Sequence, residues 1–118
     1  MDQYLTSLIP AASLNFTPKW NSETAIDWCS CAKGYSDTFL AGFLWLDKLG
    51  LSALYGMEMV LRQCLYGAYF GILNHENKPR NDYWLSFLYK KLVGTQVYGV
   101  SFNLVEPKLR LYAASSRK

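Results

Sequence analysis

The side chains of this sequence that could carry chemistry are thiols, one imidazole and a few carboxylates. Cys29, Cys31, Cys64 and His75 could in principle supply four zinc ligands. The Cys-x-Cys spacing is shorter than the spacing typical of zinc sites, however, and the other two residues stand far apart in the chain. Nothing in the sequence places His75 beside a cysteine as a nucleophilic pair. We therefore predict no metal site and no cofactor.

Glu23 is the carboxylate in the most informative position. It ends a short predicted strand around Trp20, directly before an irregular stretch over residues 24–35. In parallel α/β barrels the active-site residues lie at the C-terminal ends of the strands. Position alone leaves two interpretations of Glu23, a catalytic carboxylate or a solvated loop glutamate. Asp37 and Asp82 are each explained as helix caps.

The composition limits the classes of function. The chain has 118 residues, of which 51% are hydrophobic and 16% aromatic, with a net charge of +3. This apolar content excludes intrinsic disorder, and the charge is too small to indicate a nucleic-acid partner. Three cysteines are too few, and an odd number, for a disulfide scaffold. We read no signal peptide at the N-terminus, and the longest apolar run, over residues 39–46, is too short for a transmembrane segment.

The hydrophobic periodicity predicts helices and strands in α/β order. One helix is expected from Ser36 or Asp37 to Gly50, which would end it, and a second from Asp82 to Gly94. Strands are expected around Trp20 and over residues 57–61, 97–102 and 109–113. Only the first two of these strands alternate with helices, and two strands cannot close a barrel or form a stable doubly wound sheet. We therefore interpret the chain as a fragment, the end of an α/β domain that runs into the start of a β domain.

Several ordered motifs resemble those of the heparanases. They are Ser36-Asp37-Thr38-Phe39, residues 45–53 (WLDKLGLSA), Leu61-Arg62-Gln63, Gly67-Ala68, Asp82-Tyr83-Trp84-Leu85-Ser86 and residues 90–94 (KKLVG). The resemblance implies a retaining glycoside hydrolase with a (β/α)8 TIM barrel and an appended β-sandwich. Residues 1–94 would then be the last part of the barrel, with strands seven and eight and their helices, and residues 95–118 the first strands of the C-terminal β domain.

The resemblance also implies which residues form the site. Residues 20–24 (WNSET) match the Trp-x-x-Glu-Thr stretch that carries the nucleophile of the family, so Glu23 takes the nucleophile position. Gln63 matches a glutamine that contacts substrate. In a retaining mechanism one carboxylate attacks the anomeric carbon while a second, about 5–5.5 Å away, protonates the leaving oxygen. The family carries that acid/base upstream of everything present here, so we expect this chain alone to be inactive.

Two parts of the expected substrate site depart from the family. The family has a tyrosine and a glycine run whose backbone N–H groups hold the sugar carboxylate, where this chain has Trp28, Cys29 and Ser30. Backbone donors survive such changes only where no positive φ is required. Phe70 takes the place of a tyrosine that reaches the same carboxylate, so one hydroxyl is lost, although the loop alignment allows a one-residue slip to Tyr69.

Three functions remain open from the sequence. The first is part of an endo-β-glucuronidase that acts on heparan sulfate-type glycosaminoglycans and completes its site with the remaining barrel. The second is a catalytically dead carbohydrate-binding or decoy protein, in which the departures reflect lost turnover. The third is a structural module that binds no carbohydrate. By resemblance we expect a secreted or lysosomal location.

Overall fold

The described part of the chain folds into two helices and two small sheets. The computed structural model describes residues 17–26, 33–101 and 108–118. Along the chain these contain β1 (Trp20–Thr24), α1 (Phe39–Leu54), β2 (Met59–Arg62), α2 (Asn81–Leu92), β3 (Val93–Tyr98) and β4 (Ala113–Ser116). The α/β class predicted from periodicity is confirmed. Neither helix has the length and apolar character needed to cross a membrane, as judged over these three ranges.

The first sheet joins β1 and β2 in parallel. Trp20 lies opposite Met59, and a register shift after Asn21 brings Thr24 opposite Arg62. Because parallel neighbours need a crossover connection, α1 runs between the two strands. The C-terminal ends of β1 and β2 therefore lie at the same edge of the sheet.

The second sheet joins β3 and β4 in antiparallel fashion. Val93 pairs with Ser116 and Val97 with Ala114. The strands lie several residues from the positions that alternation predicts, because β3 begins directly after α2. This sheet is tied to α1 through Asp47, whose carboxylate accepts hydrogen bonds from Arg110 Nη1 at 2.9 Å and Tyr112 Oη at 2.7 Å.

Gly50 does not end the first helix, contrary to the sequence prediction. The helix continues through it to Leu54, and Gly50 is buried within it. A Cβ atom at position 50 would stand 2.5 Å from Cδ2 of Tyr112. Glycine is therefore required here because an aromatic ring lies against the helix backbone. It does not mark the end of the helix.

Asp82 is not a helix cap either. The N-cap of α2 is Arg80, and Asp82 lies inside the first turn. Its Oδ2 atom is 2.5 Å from Arg62 Nη2, and the two side chains are only 4% and 5% exposed. The Arg62 guanidinium also lies over the buried Trp45 ring, 4.8 Å from its centroid. An ion pair between β2 and α2 thus occupies the position that the local pattern assigned to a cap.

A polar contact between α1 and α2 lies beside this ion pair. Trp45 Nε1 donates to Ser86 Oγ at 2.9 Å, and Ser86 Oγ donates to the backbone oxygen of Asp82 at 2.7 Å. The buried indole N–H therefore has a partner, as buried polar groups require. Together with the ion pair, this contact fixes both helices against β2.

Large apolar side chains cover much of the described surface. Phe39 is 70% exposed, Phe43 61%, Trp20 58% and Trp84 53%. Soluble monomers rarely expose contiguous apolar patches above a few hundred Å2. We expect the purified 118-residue chain to self-associate in sedimentation velocity at micromolar concentration. A monodisperse monomer with a cooperative thermal transition would contradict this expectation.

Candidate active site

Glu23 and Gln63 meet at the C-terminal edge of the parallel sheet. Glu23 is exposed near the end of β1, and Gln63 directly follows β2. Gln63 Nε2 donates a hydrogen bond to Glu23 Oε1 at 3.0 Å. The backbone N–H of Gln63 donates to the Thr24 carbonyl oxygen, also at 3.0 Å. The two residues that the sequence singled out as nucleophile and substrate contact are thus direct neighbours.

The backbone at Glu23 adopts an unusual conformation. Its φ angle is +55°, in the left-handed region that residues other than glycine rarely occupy. It coincides with the register shift between Asn21 and Thr24. A conformation of this kind costs on the order of 1–3 kcal/mol and persists only where the surroundings impose it. Such outliers are concentrated at active sites and ligand clamps, which agrees with a functional role for this carboxylate.

Lys48 on α1 binds the chain just after Glu23. Its ammonium group donates to Thr24 Oγ1 at 2.8 Å and to the Ala25 carbonyl oxygen. Burial lowers the pKa of Lys48, and the nearby positive charge of Arg62 lowers it further. The helix between the two strands therefore contributes a half-buried cation to the edge that carries Glu23.

Arg62 connects the strand end with the loop that follows it. Its Nη2 atom donates to the Phe70 carbonyl oxygen at 2.6 Å as well as to Asp82. Burial raises the pKa of the Asp82 carboxyl, and the guanidinium opposes that shift. Burial also lowers the pKa of Arg62, which Asp82 opposes. Nε and Nη1 of Arg62 have no hydrogen-bond partner among the described residues.

Of the other expected substrate contacts, only Phe70 and its neighbour Tyr69 belong to the described residues. Phe70 is only 6% exposed, and the adjacent Tyr69 is 38% exposed. Trp28, Cys29 and Ser30 lie outside the described residues. Cys64 Sγ contacts the backbone oxygens of Tyr66 and Gly67, at 3.3 and 3.8 Å.

Sequence reasoning missed the tertiary contacts of three charged residues around the site. Lys48, Arg62 and Asp82 act through contacts that join residues 20 or more positions apart. The only local signal was the apolar surroundings of Lys48 and Arg62, each a lone cation in a hydrophobic stretch.

Comparison with known proteins gives a consistent result. No family model matches the chain. Bovine (Bos taurus) heparanase is 51% identical over 95 residues, which is 79% of this chain and 17% of the relative. A hyaluronoglucuronidase of Hirudo nipponia is 40% identical over 101 residues, 85% of this chain and 21% of the relative. The chain is heparanase-like. The resemblance read from the motifs is thereby confirmed.

The heparanase-like chain covers a small part of these relatives. It spans 15–21% of the length of the curated proteins it matches. One of them, human inactive heparanase-2, is 38% identical over 89 residues, 66% of this chain and 15% of the relative. The similarity thus extends to active and inactive members alike, so catalysis has to be argued from the site.

Proposed function

We propose that this chain carries the nucleophile of a heparanase-like retaining β-glucuronidase that acts on heparan sulfate-type glycosaminoglycans. The observation that supports the proposal best is the hydrogen bond between Gln63 and Glu23 at the shared edge of two parallel strands. Catalytic side chains of parallel α/β enzymes lie at that edge. The similarity to heparanases supports the proposed substrate class.

The hydrogen bond suits a carboxylate nucleophile. Gln63 binds Oε1 of Glu23 and leaves Oε2 to attack the anomeric carbon. A new C–O bond forms there while the bond to the leaving oxygen breaks, and that oxygen takes a proton from an acid outside this chain. In the glycosyl ester that results, Oε1 becomes a carbonyl oxygen, which still accepts from Gln63. Water, deprotonated by the group that had acted as the acid, then attacks the anomeric carbon, and the bond from that carbon to Glu23 Oε2 breaks to regenerate the carboxylate.

Gln63 has hydrogen-bonding capacity left for the sugar. A glutamine amide has two N–H donors and a carbonyl acceptor, and Glu23 takes one donor. The second donor and the acceptor would bind sugar hydroxyl groups beside the reacting carbon. We further propose that backbone N–H groups of Trp28, Cys29 and Ser30 hold the uronate carboxylate, and that Phe70 or the more exposed Tyr69 borders this position.

One exposed face of the first sheet supports a barrel context. All-parallel sheets occur almost entirely with both faces covered, yet Trp20, Met59 and Leu61 are exposed. The unpartnered nitrogens of the buried Arg62 also require acceptors that the described residues do not supply. We propose that residues 1–94 belong to a (β/α)8 barrel as strands seven and eight with their helices. Residues 95–118 would begin a C-terminal β domain, in a protein that is secreted or lysosomal.

A chimaera tests this function. The chimaera is bovine heparanase in which residues 20–114 of this chain replace the aligned segment. The rest of bovine heparanase supplies the remaining barrel. A 2-fluoro glucuronide with a good leaving group should label the chimaera covalently, and peptide mass spectrometry should place the label on Glu23. Heparan sulfate oligosaccharides should be cleaved in preference to hyaluronan oligosaccharides. Unaltered bovine heparanase is the positive control.

The similarity to inactive heparanase-2 supports a second function, that of a binding or decoy protein. In that case the folded chimaera would bind heparan sulfate without hydrolysis and without covalent label. Label on a residue other than Glu23 would contradict the assignment of the nucleophile in either case.

A further inference from the structure

We propose that Lys48 is a positioning residue for Glu23, because its ammonium group holds the two residues that follow the carboxylate. The proposal rests on the proposed function, in which Glu23 is the nucleophile. It assigns to α1 a role in the reaction that is exerted through the end of β1.

The contacts of Lys48 are placed to control the strand end. One is to the side chain of Thr24 and the other to the backbone oxygen of Ala25, so a single ammonium group holds two successive residues. On the opposite side, Gln63 N–H binds the Thr24 carbonyl oxygen. The two residues that follow Glu23 are thus held both by α1 and by the residue after β2. This is the support that a positive φ angle at residue 23 requires.

The electrostatic environment of Lys48 disfavours a charged side chain, which argues against a purely structural role for this lysine. Lys48 is half-buried and feels the positive charge of Arg62, which disfavours its charged form. An apolar residue at this position would avoid both burial of the charge and repulsion. What an apolar side chain could not do is donate two hydrogen bonds to the chain beside Glu23.

Lys48→Met in the chimaera should lower kcat about 10- to 100-fold, because a displacement of about 1 Å at a reacting group can cost that much. KM should change little, since Lys48 does not touch substrate. The rate of covalent labelling at Glu23 should fall in parallel with kcat. Lys48→Arg, which keeps a cation with several donors, should restore part of both rates.

Asp47→Asn provides the matched control. Asp47 is the neighbouring residue on the same helix, and its contacts with Arg110 and Tyr112 lead away from the site. This variant should lower the melting temperature and leave kcat unchanged. If Lys48→Met lowers the melting temperature in the same way but keeps kcat, Lys48 is only structural and the proposal fails.

Hydrogen exchange gives a readout that needs no turnover. The backbone N–H of Gln63 donates to the Thr24 oxygen, and this bond should slow its exchange. Its exchange should accelerate in Lys48→Met and not in Asp47→Asn. Unchanged exchange and unchanged kcat in Lys48→Met would overturn the proposal. Faster exchange in a chimaera that is never labelled at Glu23 would contradict the proposed function and leave the positioning role of Lys48 intact.

Discussion

Glu23→Gln in the chimaera is expected to reduce kcat about 10^4- to 10^6-fold, the range observed when a member of a covalent catalytic set is removed. A glutamine at position 23 has no carboxylate oxygen to attack the anomeric carbon. In the parent chain Gln63 Nε2 lies 3.0 Å from Glu23 Oε1. The amide oxygen of the new glutamine can still accept this hydrogen bond. Binding of heparan sulfate oligosaccharides should therefore be retained, as measured by isothermal titration.

Glu58→Gln is the matched control for this variant, because it makes the same chemical change at an exposed glutamate just before β2. We expect it to keep kcat. If Glu23→Gln kept activity within about tenfold of the parent, Glu23 would not be the nucleophile. A loss of binding together with turnover would indicate instead that the substitution disturbs the fold.

Arg62→Met is expected to destabilise the chimaera by about 3–5 kcal/mol, because removal of one partner leaves a buried charge without compensation. Asp82, only 4% exposed, would lose its partner, and Trp45 would lose the guanidinium above its ring. Urea unfolding followed by tryptophan fluorescence measures the change. The double variant Arg62→Met, Asp82→Leu should recover most of the loss, since it removes both charges.

The exposed pair Lys78–Glu76 is the control for the buried one. Its atoms are 2.7 Å apart, but its side chains are 72% and 69% exposed. Lys78→Met should change the free energy of unfolding by no more than about 1 kcal/mol, as is usual for surface ion pairs. Equal effects of Arg62→Met and Lys78→Met would show that burial of Arg62 does not matter.

The inactive relative gives these experiments their wider interest. Fold similarity alone does not establish activity, because activity depends on individual site residues. In this chain the expected nucleophile Glu23 and the expected substrate contact Gln63 are hydrogen-bonded neighbours, while the resemblance predicts an altered carboxylate-binding stretch. The labelling, binding and hydrolysis measurements report on these two parts of the site separately.

Local sequence signals were sufficient for much of this protein. The spacing of apolar residues predicted both helices, and a strand end before an irregular stretch predicted the place of Glu23. Local position left a loop glutamate open as well, and only the resemblance of residues 20–24 to the heparanases made a catalytic carboxylate the hypothesis to test. These signals work because helix periodicity and strand ends depend on residues close together in the chain.

Tertiary structure decided what two ambiguous residues do. Gly50 has the local signature of a helix end, yet α1 continues through it because the Tyr112 ring lies against its backbone. Asp82 has the signature of a cap, yet it pairs with Arg62 in the interior. From the sequence, an aspartate near a helix start is equally compatible with a helix cap and with a buried ion pair. Only the packing of β2 against α2 distinguishes them.

The contacts around Glu23 show the same division. The sequence by itself predicted that Glu23 lies at the end of one strand and that Gln63 follows another. Only the parallel pairing of β1 with β2 brought their side chains to 3.0 Å, and only the packing of α1 brought Lys48 to Thr24 and Ala25. Hydrogen bonds between residues 23 to 40 positions apart leave no periodic trace in a sequence, because their geometry is set by the packing of whole elements.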